Sequence, residues 1–179
     1  MIPPGTYEFG PSNGQMVVKT TREGLGKKVG HDLIIDVEDW SATVVVGDDP
    51  ESTTITAKAD VNSFEVREGK GGVKPLSGGD KEDIKKNITK KILTNPDLSF
   101  QSTSVKASDG SATVMGDLTI MGNTQPVEMK VTDEGGGRMK ATMTVVQTKF
   151  GVKPFTGMMG ALRVADAVTI EIEVSVPQS

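Results

Sequence analysis

The sequence predicts an all-β fold, an antiparallel β-barrel of about eight strands carrying one inserted α-helix, with residues 1–179 forming a single domain. Three observations lead there. Apolar residues recur with a period of two, the repeat of a strand with one buried and one wetted face. Twenty-one Gly and nine Pro are scattered along the chain rather than clustered, as many short strands and turns require. One stretch alone shifts to a period of four.

The first strand is expected over residues 15–22. In the second, Leu33, Ile35 and Val37 alternate with Ile34, Asp36 and Glu38. Trp40, Ala42, Val44 and Val46 then continue with shifted parity, so an extra residue near Glu38 or Asp39 predicts a β-bulge in one long bent strand. Ile55, Ala57, Ala59 and Val61 mark the third strand, and residues 98–105 the fourth. The remaining four follow Ala112–Ile120, Val127–Val131, Met139–Val145 and Val168–Val176 in alternation. Turn chemistry falls between them at Gly47-Asp48-Asp49-Pro50, Asp109-Gly110, Gly122-Asn123 and Gly135-Gly136-Gly137. The helix is expected over residues 80–93, with Asp80 as its N-cap, an Ile84, Ile88, Ile92 stripe toward the barrel, and Asn95-Pro96 as its stop.

Composition narrows the function. A net charge of -4, with five Phe, one Trp and one Tyr, offers neither a basic surface nor an aromatic surplus for nucleic acid. The absence of cysteine removes disulfides, thiol nucleophiles and thiolate metal sites. No run reaches the ~18 apolar residues of a membrane-spanning helix. Met1-Ile2-Pro3-Pro4-Gly5 lacks the basic and apolar regions of a secretory signal, so the cytoplasm is the expected compartment.

The inward-facing sets hold unusually small residues, Ala57, Ala59, Ala112, Gly116 and Ala141, beside aliphatics and Met. An eight-stranded barrel is just filled by its side chains, or holds one small ligand when they are small. A tapering, fully packed core accounts for the same residues, and pattern alone leaves both readings open. His31, the only histidine, sits in Gly30-His31-Asp32 with no nucleophile or second ligand at a recognisable spacing, so a structural role or a ligand head-group contact is expected over catalysis. Gly24-Leu25-Gly26-Lys27-Lys28-Val29-Gly30 has the look of a phosphate loop but precedes a strand rather than a helix, and reads as a basic loop near a barrel mouth. The helix lysines, Lys81, Lys85, Lys86, Lys90 and Lys91, read as a solvated face with at most transient membrane contact. The apolar connection Phe150-Gly151-Val152-Lys153-Pro154-Phe155 followed by Gly157-Met158-Met159-Gly160 is expected to plug one barrel end or to act as a lid.

Gly116-Asp117-Leu118-Thr119-Ile120-Met121-Gly122 resembles the G-x-L-T-(L/I)-x-G signature of the YceI-like family. Leu98-Ser99-Phe100-Gln101-Ser102-Thr103, Phe150-Gly151-Val152, Leu162-Arg163-Val164-Ala165-Asp166-Ala167-Val168 and the early Gly30-His31-Asp32 lie in the expected order around it. The resemblance implies an extended, lipocalin-like eight-stranded barrel whose apolar tunnel binds or transports polyisoprenoid chains or related amphiphilic lipids. It implies no catalytic motif and no cofactor. Inward parity in this sequence then nominates Val44, Ala57, Ala59, Phe100, Ala112, Gly116, Leu118, Ala141, Met143 and Ile170 as the tunnel wall, with His31, Arg22 and Lys27 as head-group candidates. Replacing Ala59 or Gly116 by Phe is expected to block uptake. A ligand-free packed barrel serving as a structural or protein-interaction module is the rival, an enzyme acting on lipid is a third reading, and a homodimer is compatible with all of them.

Overall fold

The computed structural model describes residues 2–177. Its main sheet is antiparallel throughout and is built from β1 (Gly5–Phe9), β2 (Gly14–Lys19), β4 (Asp32–Val37), β5 (Trp40–Val46), β6 (Thr54–Asp60), β7 (Phe64–Lys70), β8 (Asp97–Ser108), β9 (Ser111–Ile120), β10 (Asn123–Gly135), β11 (Arg138–Val146) and β14 (Ala167–Ser175). The order across it is β1-β5-β6-β8-β9-β10-β11-β14-β2-β4-β7. Three short strands, β3 (Arg22–Glu23), β12 (Thr156–Gly157) and β13 (Leu162–Val164), make a separate small sheet.

Eleven segments stand where the alternation predicts eight strands, because bends divide three long strands. Between β1 and β2, Gly10 N–H donates to Asn13 Oδ1 (2.9 Å) in a tight kink. The break between β4 and β5 falls at Glu38-Asp39, where parity shifts in the sequence. Between β6 and β7 a 3-10 turn over Val61–Ser63 is capped by Asp60, which accepts from Asn62 N–H (2.7 Å). β1 pairs β5 while β2 pairs β4, so each long strand keeps its neighbour across the bend and the sheet curls round until β14 meets β2. β1 and β7 are absent from the alternation-based expectation. Each shows only two inward apolar residues, Tyr7 and Phe9 or Phe64 and Val66, next to Gly, Pro or charge.

Two of the hairpin turns are two-residue reversals with positive φ at both positions. One is Met121-Gly122 rather than Gly122-Asn123, since Asn123 already pairs with Ile120 (φ 54° and 74° in the turn). Another is Gly136-Gly137, with Gly135 paired to Arg138. The helix also starts earlier than predicted. α1 (Gly78–Asn87) is capped by Ser77, and Asp80 is the third helical residue, closing a capping box in which Asp80 N–H donates to Ser77 Oγ (3.1 Å) and Ser77 N–H to Asp80 Oδ2 (2.8 Å). It runs on as a single π-turn over Ile88–Ile92.

α1 lies where β7 diverges from β8, because β8 pairs with β6 and β9 but not with β7. The isoleucine stripe does face the barrel. Ile84 and Ile88 pack with Val37, Val61 and Phe64, while Ile92 joins the cluster of Phe100, Leu118 and Val145. Both clusters extend through the barrel and share Leu93, Leu98 and Ile170 at their boundary.

Candidate ligand-binding lumen

Strand parity sends one face of β5, β6, β8, β9, β11 and β14 into a cavity of about 690 Å³. In one lateral row Ala42, Ala57, Phe100 and Leu118 stand side by side across β5, β6, β8 and β9. The two alanines keep that wall thin, which is why the space opposite Phe100 stays open. The floor is made by Phe9, Met16, Trp40, Val114, Leu118 and Ile120, all buried. Toward the other end Ala42, Val44, Ala57, Ala112, Ala141 and Ile170 face inward yet remain only half-buried. A packed core would bury that row completely, so the upper half of the barrel is hollow.

The mouth lies among the turns at Gly47-Asp48, Asp109-Gly110 and Gly135, beside Ile2 and Pro4. Its charged lining includes Asp48, Asp109 and Asp133, and Gly135 N–H donates to Asp133 (2.9 Å), holding that carboxyl below the usual range. Deeper in, apart from Lys58 and Ser99, the wall is aliphatic, aromatic and thioether. Among the described residues no buried side-chain nitrogen or oxygen lacks a hydrogen-bond partner, so the wall presents no stranded polar atom waiting for a directed bond.

Nine of the ten predicted wall residues line this space: Val44, Ala57, Ala59, Phe100, Ala112, Leu118, Ala141, Met143 and Ile170. Gly116 does not. A Cβ built on it would meet Phe100 Cζ at 2.3 Å and Gln101 O at 2.7 Å, so Gly116 is the seat of the Phe100 ring, and a phenylalanine there would strike the wall before reaching the lumen. Parity placed Gly116 on the correct face, but the ring covering it comes from the neighbouring strand.

Arg22, Lys27 and His31, the expected head-group contacts, are at the far end of the barrel, outside the lumen lining. They follow the end of β2 and precede β4, and antiparallel pairing puts those ends opposite the β5–β6 turn. Arg22 N–H donates to Asp32 Oδ1 (2.8 Å), and its guanidinium donates to Gly30 O and, at 3.3 Å, to Lys70 O. His31 Nε2 lies 2.7 Å from Lys74 O. Lys27 stands exposed on a loop anchored by Gly26 N–H to Ala161 O (2.8 Å). These residues tie the closing loops together. The helix lysines are partly committed as well: Lys85 pairs with Glu65, and Lys81 Nζ donates to Arg67 O (2.9 Å).

The apolar connection after β11 divides in two. Phe150 and Val152 are buried against Ile120 and Val127, with Phe150 O held by Asn123 Nδ2 (2.8 Å), and they plug the lower barrel. Phe155, Met158 and Met159 project outward. The sequence-based list missed Phe9, Met16 and Trp40 in the floor. Period two at Tyr7 and Phe9, whose rings stack 6.4 Å apart, was the available signal for β1. Among the described residues no group of three His, Asp or Glu side chains is placed to hold a metal, and no helix is long and apolar enough to cross a membrane.

A curled antiparallel sheet enclosing an apolar, one-ended lumen defines a lipocalin-like β-barrel. A family model for the YceI-like domain matches residues 8–176, and the chain belongs to that family. It is 38% identical over 90 residues to UPF0312 proteins from two strains of Pseudomonas putida, a match spanning 45% of this chain and 43% of each relative. BcnA of Burkholderia cenocepacia shares the fold with a TM-score of 0.65 at 20% identity, over 92% of this chain and 96% of that one. The Campylobacter jejuni YCEI protein does so at 0.55 and 13% identity, over 81% and 85%.

Proposed function

We propose that this protein is a binding module that takes one long, apolar, isoprenoid-like lipid tail-first into the lumen, for sequestration or transport, and performs no chemistry on it. The observation that carries the reading is the half-buried inward row around a 690 Å³ apolar space. If each non-hydrogen atom takes the ~30 Å³ that a water molecule occupies in the liquid, the cavity of about 690 Å³ accommodates roughly 20 carbons, or about four isoprene units. Burial at ~25 cal/mol per Å² holds such a tail without a directed hydrogen bond, and the methionines Met129, Met139 and Met143 adapt the wall to its branches. The carboxylates of the lumen lining, Asp48, Asp109 and Asp133, gather at the mouth, where a head group would meet water.

Native mass spectrometry of freshly purified protein, followed by organic extraction, tests this. A stoichiometric prenyl or other long-chain lipid, or uptake of added geranylgeraniol by bare protein, supports the binding module. Bare protein that takes up no prenyl alcohol would refute it and favour a ligand-free interaction module.

A further inference from the structure

We propose that the closed end of the barrel, opposite the lumen mouth, is a docking surface for an anionic lipid bilayer. This inference stands on exposure and charge alone and does not rest on the ligand assigned to the lumen. Eight large apolar side chains are exposed among the described residues, and six of them, Leu25, Val29, Val73, Phe155, Met158 and Met159, occur on three loops. Those loops are far apart in sequence but bound together at one end. Gly26 N–H donates to Ala161 O (2.8 Å), β3 pairs β13, and His31 reaches Lys74 O. Leu25 is 98% exposed and Met159 fully so. Such a concentration of apolar groups at one pole is a marker of an interaction site.

The same loops carry a strong charge asymmetry. Residues 21–30, 70–76 and 149–164 contain eight Lys or Arg and one carboxylate, Glu23, in a chain whose net charge is -4. The rest of the chain therefore has an excess of eleven acids. Asp32 and Asp166, at the same end, accept hydrogen bonds from Arg22 N–H and Thr148. The pole is thus cationic with apolar tips, and the opposite pole, the mouth, is acidic. Protruding single side chains set among lysines match the boundary of an anionic membrane, where apolar groups enter the acyl edge and lysines meet phosphates. A protein interface instead calls for a continuous patch depleted of lysine. Docked this way, the protein holds its lumen mouth away from the bilayer, toward the aqueous side.

The test is flotation of the full chain with vesicles of phosphatidylcholine alone, or of phosphatidylcholine and phosphatidylglycerol in equal parts. The wild type is expected to float with the mixed vesicles only and to be released by raised salt. Leu25→Ser with Met159→Ser should weaken partitioning about ten-fold or more. Lys27→Gln with Lys28→Gln should cost roughly five-fold per lysine. Both pairs are on exposed loops and should leave the thermal midpoint unchanged. The lumen variant Ala59→Phe should float as wild type, which separates this surface from the ligand reading. Absence of flotation with the mixed vesicles, or undiminished flotation of the serine variant, would overturn the proposal. So would self-association of lipid-free protein that the serine variant abolishes, since that assigns the surface to a second copy.

Discussion

Ala59→Phe converts the lumen into a shorter one. Ala59 lies in register with Trp40 and Leu98 and lines the cavity close to its floor. The substitution adds six carbons, which at ~30 Å³ each claim roughly 180 Å³ of the cavity. A tail that fills the wild-type lumen must then withdraw about six carbons into water. At ~0.8 kcal/mol per methylene the loss approaches about 5 kcal/mol, a drop of three to four orders of magnitude in affinity. A tail one isoprene unit shorter should bind almost as before. The measurement is a series of prenyl alcohols of increasing length titrated into both proteins by native mass spectrometry or calorimetry, with urea denaturation as a control. Since the new ring enters open space, stability should change by less than about 1 kcal/mol. An unshifted length profile, or an equal loss at every length including the shortest, would refute the placement of the tail against Ala59.

Gly116→Ala should destabilise the fold by about 1–3 kcal/mol, because its Cβ collides with the Phe100 ring and Gln101 O. Phe100→Leu in the same chain should recover part of that loss in a double-mutant cycle read by urea denaturation. Glu171 accepts from Lys19 Nζ (2.9 Å) with Lys140 Nζ 3.4 Å away, and the Lys19 hydrogen bond holds its carboxyl below its ordinary 4.5. A carboxyl depressed in the folded state contributes stability fully above its unfolded pKa and loses it as pH falls through the folded value. The urea midpoint of the wild type should therefore decline in the acid range below 4.5, and Glu171→Gln should flatten that decline. An identical slope in both proteins would remove Glu171 from the account.

Parity in the sequence reports which face of a strand is inward, and on that face nine wall residues were legible. What parity does not encode is height along the barrel. Arg22, Lys27 and His31 follow a strand, as a mouth residue would, yet only the pairing of β2 with β4 shows at which end they lie. Nor does parity encode the neighbour across the sheet. Whether Gly116 opens space or seats a ring depends on the register of β8 against β9, which slips between Ser102 and Ser104. The helix is readable from its isoleucines, but a capping box offers two polar residues three apart, and in sequence the acidic one at the third position, Asp80, reads as the cap as readily as Ser77. β1 and β7 carry too few apolar residues to declare themselves. Their strand conformation is secured by partners distant in sequence.

The seam between β2 and β14 has a meaning for how the barrel assembles. From β8 to β11 each strand pairs with its immediate successor through a tight turn, so those contacts cost little chain entropy. The bridge from Lys19 to Glu171 spans 152 positions. Loop closure over that distance places this pairing late in folding. The Lys19–Glu171 ion pair is then also the clasp of the cylinder, fastened once the other strands are in place.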